Sequence, residues 1–191
     1  PGYVHKVVYH SKSFEGYIAH ALPEAQAMYI PMMAPDMSDT TGGRAETIPL
    51  RPKTQFVVGH VGLWNPHKGV DFLVEAARIW RDRGADIGVI ATGAIHTINK
   101  DATHRSVQTL DYARRMVQMH GLEDQVTLHG EMLCYAELYI LLCQCDLFCL
   151  PYTTKVPGNT SSGVMCLSFG KPVIVSDVPM FSDMIGESAL A

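Results

Sequence analysis

Lys68 is the residue whose place in the sequence most directly suggests binding chemistry. It stands in GLWNPHKGVDFLVEAARIW, residues 62–80, where an apolar segment passes through Asn and Pro into an amphipathic helix. The amino end of a helix carries partial positive charge, so it disfavours a cation and favours an anion. A lysine at that point is explained if it shares an anionic ligand, such as a phosphate, with the helix. A solvated lysine that merely precedes a helix is the alternative.

A second candidate anion site is the segment PYTTKVPGNTSSG, residues 151–163, which ends just before a predicted helix. Hydroxyls and free backbone N–H groups at a helix N-terminus form a good phosphate cradle. A side-chain cap by Ser161 or Ser162 explains the same residues without any ligand. The pattern alone leaves both explanations open. Neither this segment nor the one around Lys68 is a Walker A or a GxGxxG motif.

The elements that must position these residues alternate along the chain. Short apolar runs, typical of strands with helices on both faces, are separated by segments of helical period. This order predicts parallel βαβ units and an α/β, Rossmann-like, doubly wound sheet from about residue 54 onward. Ligands bind such sheets at the carboxyl ends of the strands, so the loops after the strands are the candidate binding loops. The predicted strands are 5–10, 27–30, 55–61, 87–91, 125–129, 147–150 and 172–176, and the predicted helices are 14–21, 71–83, 105–120, 136–143 and 162–169.

The first third of the chain differs from the rest. Residues 1–32 predict a single βαβ unit, with Ser11 as a cap for its helix, and one such unit is too small to bury a core alone. Residues 33–53 are rich in Pro, Gly, Thr and Asp and lack periodicity, which is typical of a linker. Residues 54–191 are predicted to form the main domain. Because the chain begins at Pro1 without a methionine and stops just after a helix-like segment, we expect a fragment whose second domain is truncated at its end.

Composition narrows the classes of function. A net charge of -4 and no long basic run do not favour nucleic-acid binding. No apolar stretch reaches the roughly 18 residues needed to span a bilayer, and no signal peptide opens the chain. The five cysteines are odd in number and lie mostly in apolar runs, so we expect reduced core thiols rather than a disulfide framework or a zinc site. We expect a cytoplasmic protein and leave peripheral membrane contact through a missing domain open.

Three segments in this order and spacing resemble a known family. GLWNPHKGVDFLVEAA (62–77), QVTLHGEMLCYAELYILLCQCDLFCLPY (125–152) and SSGVMCLSFGKPVIVSDVP (161–179) together resemble the C-terminal domain of GT-B glycosyltransferases, and more narrowly the retaining group 1 family. The resemblance covers roughly residues 54–186. The segment 7–32 is similar to the last βαβ unit of the N-terminal domain of such enzymes.

The resemblance implies a domain that binds a nucleotide-diphosphate sugar, UDP- or GDP-linked, without a metal or another cofactor. In the family, the loop that matches 62–69 faces the diphosphate, and its lysine pairs with phosphate oxygens. The loop that matches 130–133 lines the nucleobase through backbone groups, and the helix start at 161–165 holds the distal phosphate and ribose. Lys68 is thus the candidate catalytic residue. The candidate binding residues are Gly62, Lys68, Gly130, Met132, Leu133, Thr160, Ser161, Ser162, Gly163, Val164 and Met165.

The sequence departs from the family pattern at three positions. Leu63 stands where the first loop commonly has an arginine, and Pro157 and Met165 stand where the last donor loop commonly has two glutamates. The second glutamate normally accepts hydrogen bonds from the ribose hydroxyls, which a methionine does not do. We expect Ser161 or Ser162 to take over part of this hydroxyl recognition.

The function expected from the resemblance is transfer of a sugar from a nucleotide-diphosphate donor to an acceptor with retention of configuration. The acceptor site is expected in the missing N-terminal domain, so the chain alone is expected to have little or no activity. A non-catalytic nucleotide-sugar-binding module is the main alternative, and the lost glutamates favour it. The sequence lacks the GxGxxG fingerprint of a nicotinamide-dependent dehydrogenase. An epimerase or a phosphorylase with the same fold remains an open alternative.

Overall fold

The computed structural model describes residues 4–33, 35, 48, 51–156 and 158–181 and contains two parallel sheets. Residues 4–33 form a small βαβ unit, and residues 51–181 form a larger α/β unit. The small unit consists of strand β1 (Lys6–Tyr9), a 3-10 turn (Lys12–Phe14), helix α1 (Glu15–Ala21) and strand β2 (Gln26–Tyr29). The larger unit consists of β3 (Phe56–Val61), a 3-10 turn (Pro66–Lys68), α2 (Val70–Asp82), β4 (Ile87–Thr92), α3 (Lys100–His120), β5 (Val126–His129), α4 (Tyr135–Cys143), β6 (Leu147–Leu150), α5 (Ser161–Ser168) and β7 (Val173–Val175).

The larger sheet has the strand order β5-β4-β3-β6-β7, and every neighbouring pair is parallel. The chain builds outward from β3 through β4 to β5, then returns to the other side of β3 for β6 and β7. The direction of winding therefore reverses between β3 and β6, which is the point where open α/β sheets bind ligands. The predicted α/β, doubly wound parallel sheet is confirmed.

Helices cover both faces of this sheet, as the continuously apolar strands predict. On one face, Val74 of α2 and Leu110 of α3 belong to a buried cluster with Val58 and Val89 of the central strands. On the other face, Leu141 of α4 and other buried side chains of α4 and α5 pack against Val57, Ile90 and Phe148. The buried apolar residues of the central strands thus divide between two cores.

The predicted elements lie within a few residues of the observed ones. The largest difference is helix α3, which begins at Lys100 rather than at Arg105. Asn99 caps it, since its Oδ1 accepts a hydrogen bond from the Ala102 N–H at 2.8 Å. An asparagine N-cap satisfies one of the free amides of the first turn. The helix can therefore begin at residues 100–104, which lack the apolar periodicity that predicts a helix.

The small unit confirms the predicted βαβ pattern. Strands β1 and β2 pair in parallel, with Lys6 opposite Gln26 and Tyr9 opposite Tyr29. Ser11 occupies the N-cap position of the 3-10 turn, but the prediction that its side chain caps the helix is wrong, because its Oγ contacts the Ser13 Oγ at 2.6 Å instead. The predicted linker, 33–53, lies mostly outside the described residues.

The cysteines divide into two groups. All five are free thiols, and Cys145 and Cys166 are buried in the core, where burial raises the pKa of each to about 12. Cys134 and Cys143 are exposed, so the expectation of core thiols is wrong for these two, which lie at the two ends of α4. Within the described ranges, no helix is long and apolar enough to cross a bilayer.

Candidate functional site

The central strands separate at their carboxyl ends where the winding reverses. The pairing of β3 with β6 extends only to Gly59 opposite Phe148. One residue further, the imidazole of His60 enters the gap, and its Nδ1 lies 3.0 Å from the Cys149 carbonyl oxygen. The His60 side chain therefore contacts the β6 backbone one residue beyond the last paired position, at the reversal point where open α/β sheets have their binding crevice.

His60 is buried beneath this crevice, with 1% of its surface exposed. Its pKa is lowered to about 4: desolvation is the largest cause, the hydrogen bond to the Cys149 carbonyl opposes the shift, and the nearby Lys68 ammonium adds to it. The ring is thus neutral at pH 7 and carries its proton on Nδ1, from which it donates to that carbonyl. Its Nε2 is buried without a hydrogen-bond partner among the described residues.

The loop after β3 turns Lys68 toward the crevice. Helix α2 begins at Val70, so Lys68 lies in the 3-10 turn that precedes the helix. Gly69 has φ of +69°, and a Cβ added to it would lie 2.1 Å from the Pro151 carbonyl oxygen, so only glycine fits this close approach. The Thr153 N–H donates to the His67 carbonyl at 2.9 Å and holds the loops after β3 and β6 together.

Lys68 is held over the ring of Tyr152, with Nζ 3.8 Å from the ring centroid. This is a close cation–π contact, and Tyr152 is itself buried. The Tyr152 hydroxyl lies 3.4 Å from the Thr160 Oγ1. A Cβ built on Gly62 would lie 3.2 Å from the Ser162 Oγ, 3.6 Å from the Tyr152 hydroxyl and 3.8 Å from the Lys68 Cδ. These side chains therefore meet above Gly62.

The N-terminus of α5 lies at the same place, and its cap differs from the one considered in the sequence. The helix begins at Ser161, and Thr160 occupies the N-cap position without a side-chain hydrogen bond to the first turn. The alternative that Ser161 or Ser162 caps the helix is therefore wrong. Ser162 is buried and Ser161 is exposed. An uncapped first turn leaves amide N–H groups available to an anion.

A pocket of about 490 Å³ extends from this place to the loop after β5. We define the polar wall of this pocket as Gly62, Lys68, Tyr152, Thr160 and Ser162. Gly62 and Ser162 line the pocket itself, whereas the predicted residue Lys68, with Tyr152 and Thr160, lies beside them and outside the lining. The apolar wall of the pocket is defined by Leu63, Met132, Leu133, Tyr135 and Leu138. The residues that line the pocket are Val61, Gly62, Leu63, Thr92, Gly93, Ala94, Glu131, Met132, Leu133, Cys134, Tyr135, Leu138, Ser161, Ser162 and Met165.

Most of the predicted binding residues lie on or beside this pocket. The structure places Gly62, Met132, Leu133, Ser161, Ser162 and Met165 on its lining. Thr160 and Gly163 are buried beside it, and Val164 is half-buried on α5. Gly130 is different: a Cβ there would lie 2.3 Å from the Leu110 Cδ2, so this glycine allows close packing on α3 and does not line the pocket.

Sequence reasoning missed several residues of the site. Tyr152 and His60 belong to no recognisable motif. A histidine inside an apolar strand next to the reversal point could nevertheless have indicated a site residue. Gly93, which follows β4, also lines the pocket. A Cβ on Gly93 would lie 1.6 Å from the Gly62 carbonyl oxygen, and its N–H donates to the His129 carbonyl at 3.1 Å. It therefore brings the loops after β3 and β5 together.

Two of the three departures from the family pattern lie on the pocket. Leu63 is exposed on its apolar wall, and Met165 lies on α5. Pro157 lies outside the described residues. In the part of the chain that the structure describes, no group of three or more His, Cys, Asp or Glu side chains could ligate a metal ion.

The fold matches solved structures of glycosyltransferases. A TarM structure from S. aureus with UDP, Fondaparinux and alpha-GlcNAc-glycerol has a TM-score of 0.59 and 18% identity, over 95% of this chain and 32% of that chain. A UDP-forming trehalose-phosphate synthase from Burkholderia xenovorans has a TM-score of 0.67 and 11% identity, over 94% of this chain and 48% of that chain. The C-terminal domain of the group 1 glycosyl transferase LpcC from Francisella tularensis has a TM-score of 0.54 and 15% identity, over 81% of this chain and 73% of that chain.

These likenesses show a shared GT-B fold, and the chain spans less than half of the first two proteins. A comparison with curated proteins gives no significant sequence match. A family model described as Glycosyl transferases group 1 matches residues 44–189, which is most of the chain and contains the whole polar wall. The resemblance found in the sequence is confirmed: the chain belongs to the group 1 glycosyl transferases.

Proposed function

We propose that this chain is the donor-binding part of a retaining glycosyltransferase that uses a nucleoside-diphosphate sugar. The observation that carries the proposal is the placement of Lys68 beside Gly62 and Ser162, which line one pocket together with the uncapped first turn of α5 at the reversal point of the sheet. A cation and free amides at the edge of one cavity match an anion with several oxygens. Membership of the family makes a diphosphate the natural candidate.

The polar wall would receive the diphosphate. Lys68 would contact its oxygens through a charge-assisted hydrogen bond, and the Ser162 hydroxyl and first-turn amides would donate further bonds. During transfer, the bond between the anomeric carbon and the diphosphate oxygen breaks, the acceptor oxygen bonds to that carbon and loses its proton, and negative charge grows on the diphosphate. Donors already in position stabilise that charge, which lowers the barrier.

The apolar wall would receive the base and ribose. Met132 and Leu133 belong to the loop after β5, which in the family lines the nucleobase, and they line the same pocket as Gly62 and Ser162. Met165 does not accept hydrogen bonds from ribose hydroxyls, so Ser161, which is exposed on the pocket lining one helical turn before it, would take over this role. The donor is UDP- or GDP-linked in this proposal.

The proposal also assigns the domain organisation of the protein. Residues 1–32 would be the end of an N-terminal domain, and residues 33–53 would be the linker to the donor domain. The acceptor site would belong to that N-terminal domain, so transfer by the chain alone would be negligible. A turnover assay with the chain alone tests this part, and robust transfer would contradict it.

Calorimetric titration with UDP, GDP and ADP tests the donor site. We expect the chain to bind UDP or GDP and the Lys68→Ala variant to bind it about 10- to 100-fold more weakly, the typical loss for a hydrogen bond to a charged group. Lys155→Ala is the matched control, because it removes an exposed lysine from the loop after β6 without touching the polar wall. Equal affinity of the Lys68 and Lys155 variants would refute the role of Lys68.

A non-catalytic nucleotide-sugar-binding module is the second candidate. Met165 favours it, because it replaces a carboxylate that the family commonly has at this helix. Both candidates predict the same nucleotide binding, so binding does not separate them. Turnover by the full-length protein does: transfer supports the enzyme, and tight binding without transfer supports the module.

A further inference from the structure

The side chain of Asn159 joins the small βαβ unit to the donor pocket. Its Nδ2 donates to the His10 carbonyl oxygen at 2.9 Å, just beyond the end of β1. Its Oδ1 accepts from the Thr160 N–H at 2.7 Å, at the N-cap of α5. One amide therefore bridges two parts of the chain that are 149 positions apart in sequence.

Both ends of this bridge are anchored. On the side of the small unit, the His10 Nδ1 donates to the Ile30 carbonyl at 2.7 Å, which ties the ends of β1 and β2 together. On the side of the pocket, the Thr160 Oγ1 contacts the Tyr152 hydroxyl, whose ring carries Lys68. A continuous series of contacts thus runs from His10 through Asn159 to the cation of the polar wall.

We propose that Asn159 is a positioning residue that couples the small unit to the anion site. The orientation of Thr160 sets the direction of the first-turn amides of α5, and Asn159 sets the position of the Thr160 N–H. A diphosphate on those amides would therefore favour the contact with His10, and by linkage that contact would favour the diphosphate to the same extent. The nature of the ligand rests on the proposed function, whereas the coupling rests on the two hydrogen bonds of Asn159.

Asn159 donates one of its two hydrogen bonds and accepts the other, so different substitutions can remove one bond or both. Asn159→Asp keeps an oxygen that accepts from the Thr160 N–H, but it loses the donor to His10 and places a carboxylate against that carbonyl. Asn159→Ala removes both bonds. Thr154→Ala is the matched control, because the Thr154 Oγ1 accepts from the Val156 N–H at 3.2 Å in the same loop, outside the series of contacts.

The test is hydrogen–deuterium exchange of the full chain and these variants, with and without UDP or GDP, read at residues 4–14 and 158–168. In the wild type and the Thr154 variant, we expect the nucleotide to slow exchange in both segments. In Asn159→Asp, we expect it to slow exchange at 158–168 and no longer at 4–14. In Asn159→Ala, exchange rises in both, and nucleotide affinity falls about tenfold.

The coupling is overturned if the nucleotide binds and leaves 4–14 unchanged in the wild type, or if it protects 4–14 equally in Asn159→Asp. Failure of the proposed function has a different signature, which is no binding of either nucleotide by the wild type. In that case the nucleotide-free data decide: faster exchange at 4–14 in Asn159→Asp than in Thr154→Ala supports the coupling, and equal rates overturn it.

Discussion

The two walls of the pocket differ in how firmly their side chains are held. On the polar wall, Lys68 lies on the ring of Tyr152, and both Tyr152 and Ser162 are buried. On the apolar wall, the Met132 side chain is 79% exposed and that of Tyr135 is 64% exposed. The polar wall is thus held in place without a ligand. On the apolar wall, Leu133 and Leu138 pack against the core, whereas Met132 and Tyr135 have room to rearrange.

This difference follows from the physics of the two contacts. Stabilising a diphosphate requires donors at set distances, and donors that need no reorganisation contribute most to catalysis. Apolar contact with a flat base is non-directional and tolerates rearrangement, and methionine adapts readily to an irregular surface. Changes to the polar wall should therefore disturb both structure and binding, and changes to the apolar wall should disturb neither strongly.

The largest expected effect on the polar wall comes from Gly69→Ala. The residue has φ of +69°, and its Cβ would lie 2.1 Å from the Pro151 carbonyl oxygen, so the loops after β3 and β6 must separate. The left-handed strain and the overlap together should lower the free energy of unfolding by about 3 kcal/mol. Denaturant unfolding measures this loss, and titration should show weakened diphosphate binding because Lys68 moves with the loop.

Gly84→Ala is the matched control for that prediction. Gly84 has nearly the same backbone, with φ of +73°, but a Cβ there meets nothing within 4 Å. The Gly84→Ala variant should lower the free energy of unfolding by only about 1 kcal/mol and leave diphosphate binding unchanged. If the two variants lose equal stability, the contact between Gly69 and Pro151 does not hold the polar wall.

The polar wall also shows what a sequence reveals of a site. Lys68 and Ser162 could be predicted, because a cation or a cluster of hydroxyls just before a helix is recognisable in the sequence alone. Tyr152 and His60 could not be placed, because their roles arise where β3 and β6 separate, and the register of two distant strands decides this. The strands and helices themselves were predictable since hydrophobic period and glycine stops are local signals.

Acidification should weaken the fold through His60. In the unfolded chain this histidine takes up a proton near pH 6.5, whereas in the folded chain its pKa is about 4. Between these values the unfolded state binds more protons, so the free energy of unfolding falls as the pH drops from about 6.5 to 4. The loss should approach about 3 kcal/mol, and unfolding curves across this range measure it.

His60→Asn is the control for this titration. Asparagine keeps a donor for the Cys149 carbonyl but has no proton to gain. Its unfolding free energy should depend less on pH between 6.5 and 4 than that of the wild type, whatever its absolute stability. Parallel pH dependences would show that His60 is not the buried neutral group beneath the polar wall.

The smallest expected effect belongs to Met132→Ala on the apolar wall. Because its side chain is mostly exposed, the free energy of unfolding should change by less than about 0.5 kcal/mol, and nucleotide affinity should fall by less than about threefold. Met165→Ala is the matched comparison, since Met165 also lines the pocket but packs on the core beneath α5, and its loss should destabilise the chain by about 2 kcal/mol. If Met132→Ala weakens binding as much as Lys68→Ala, the base contributes through a preformed contact, and the contrast between a fixed and an adaptable wall does not hold.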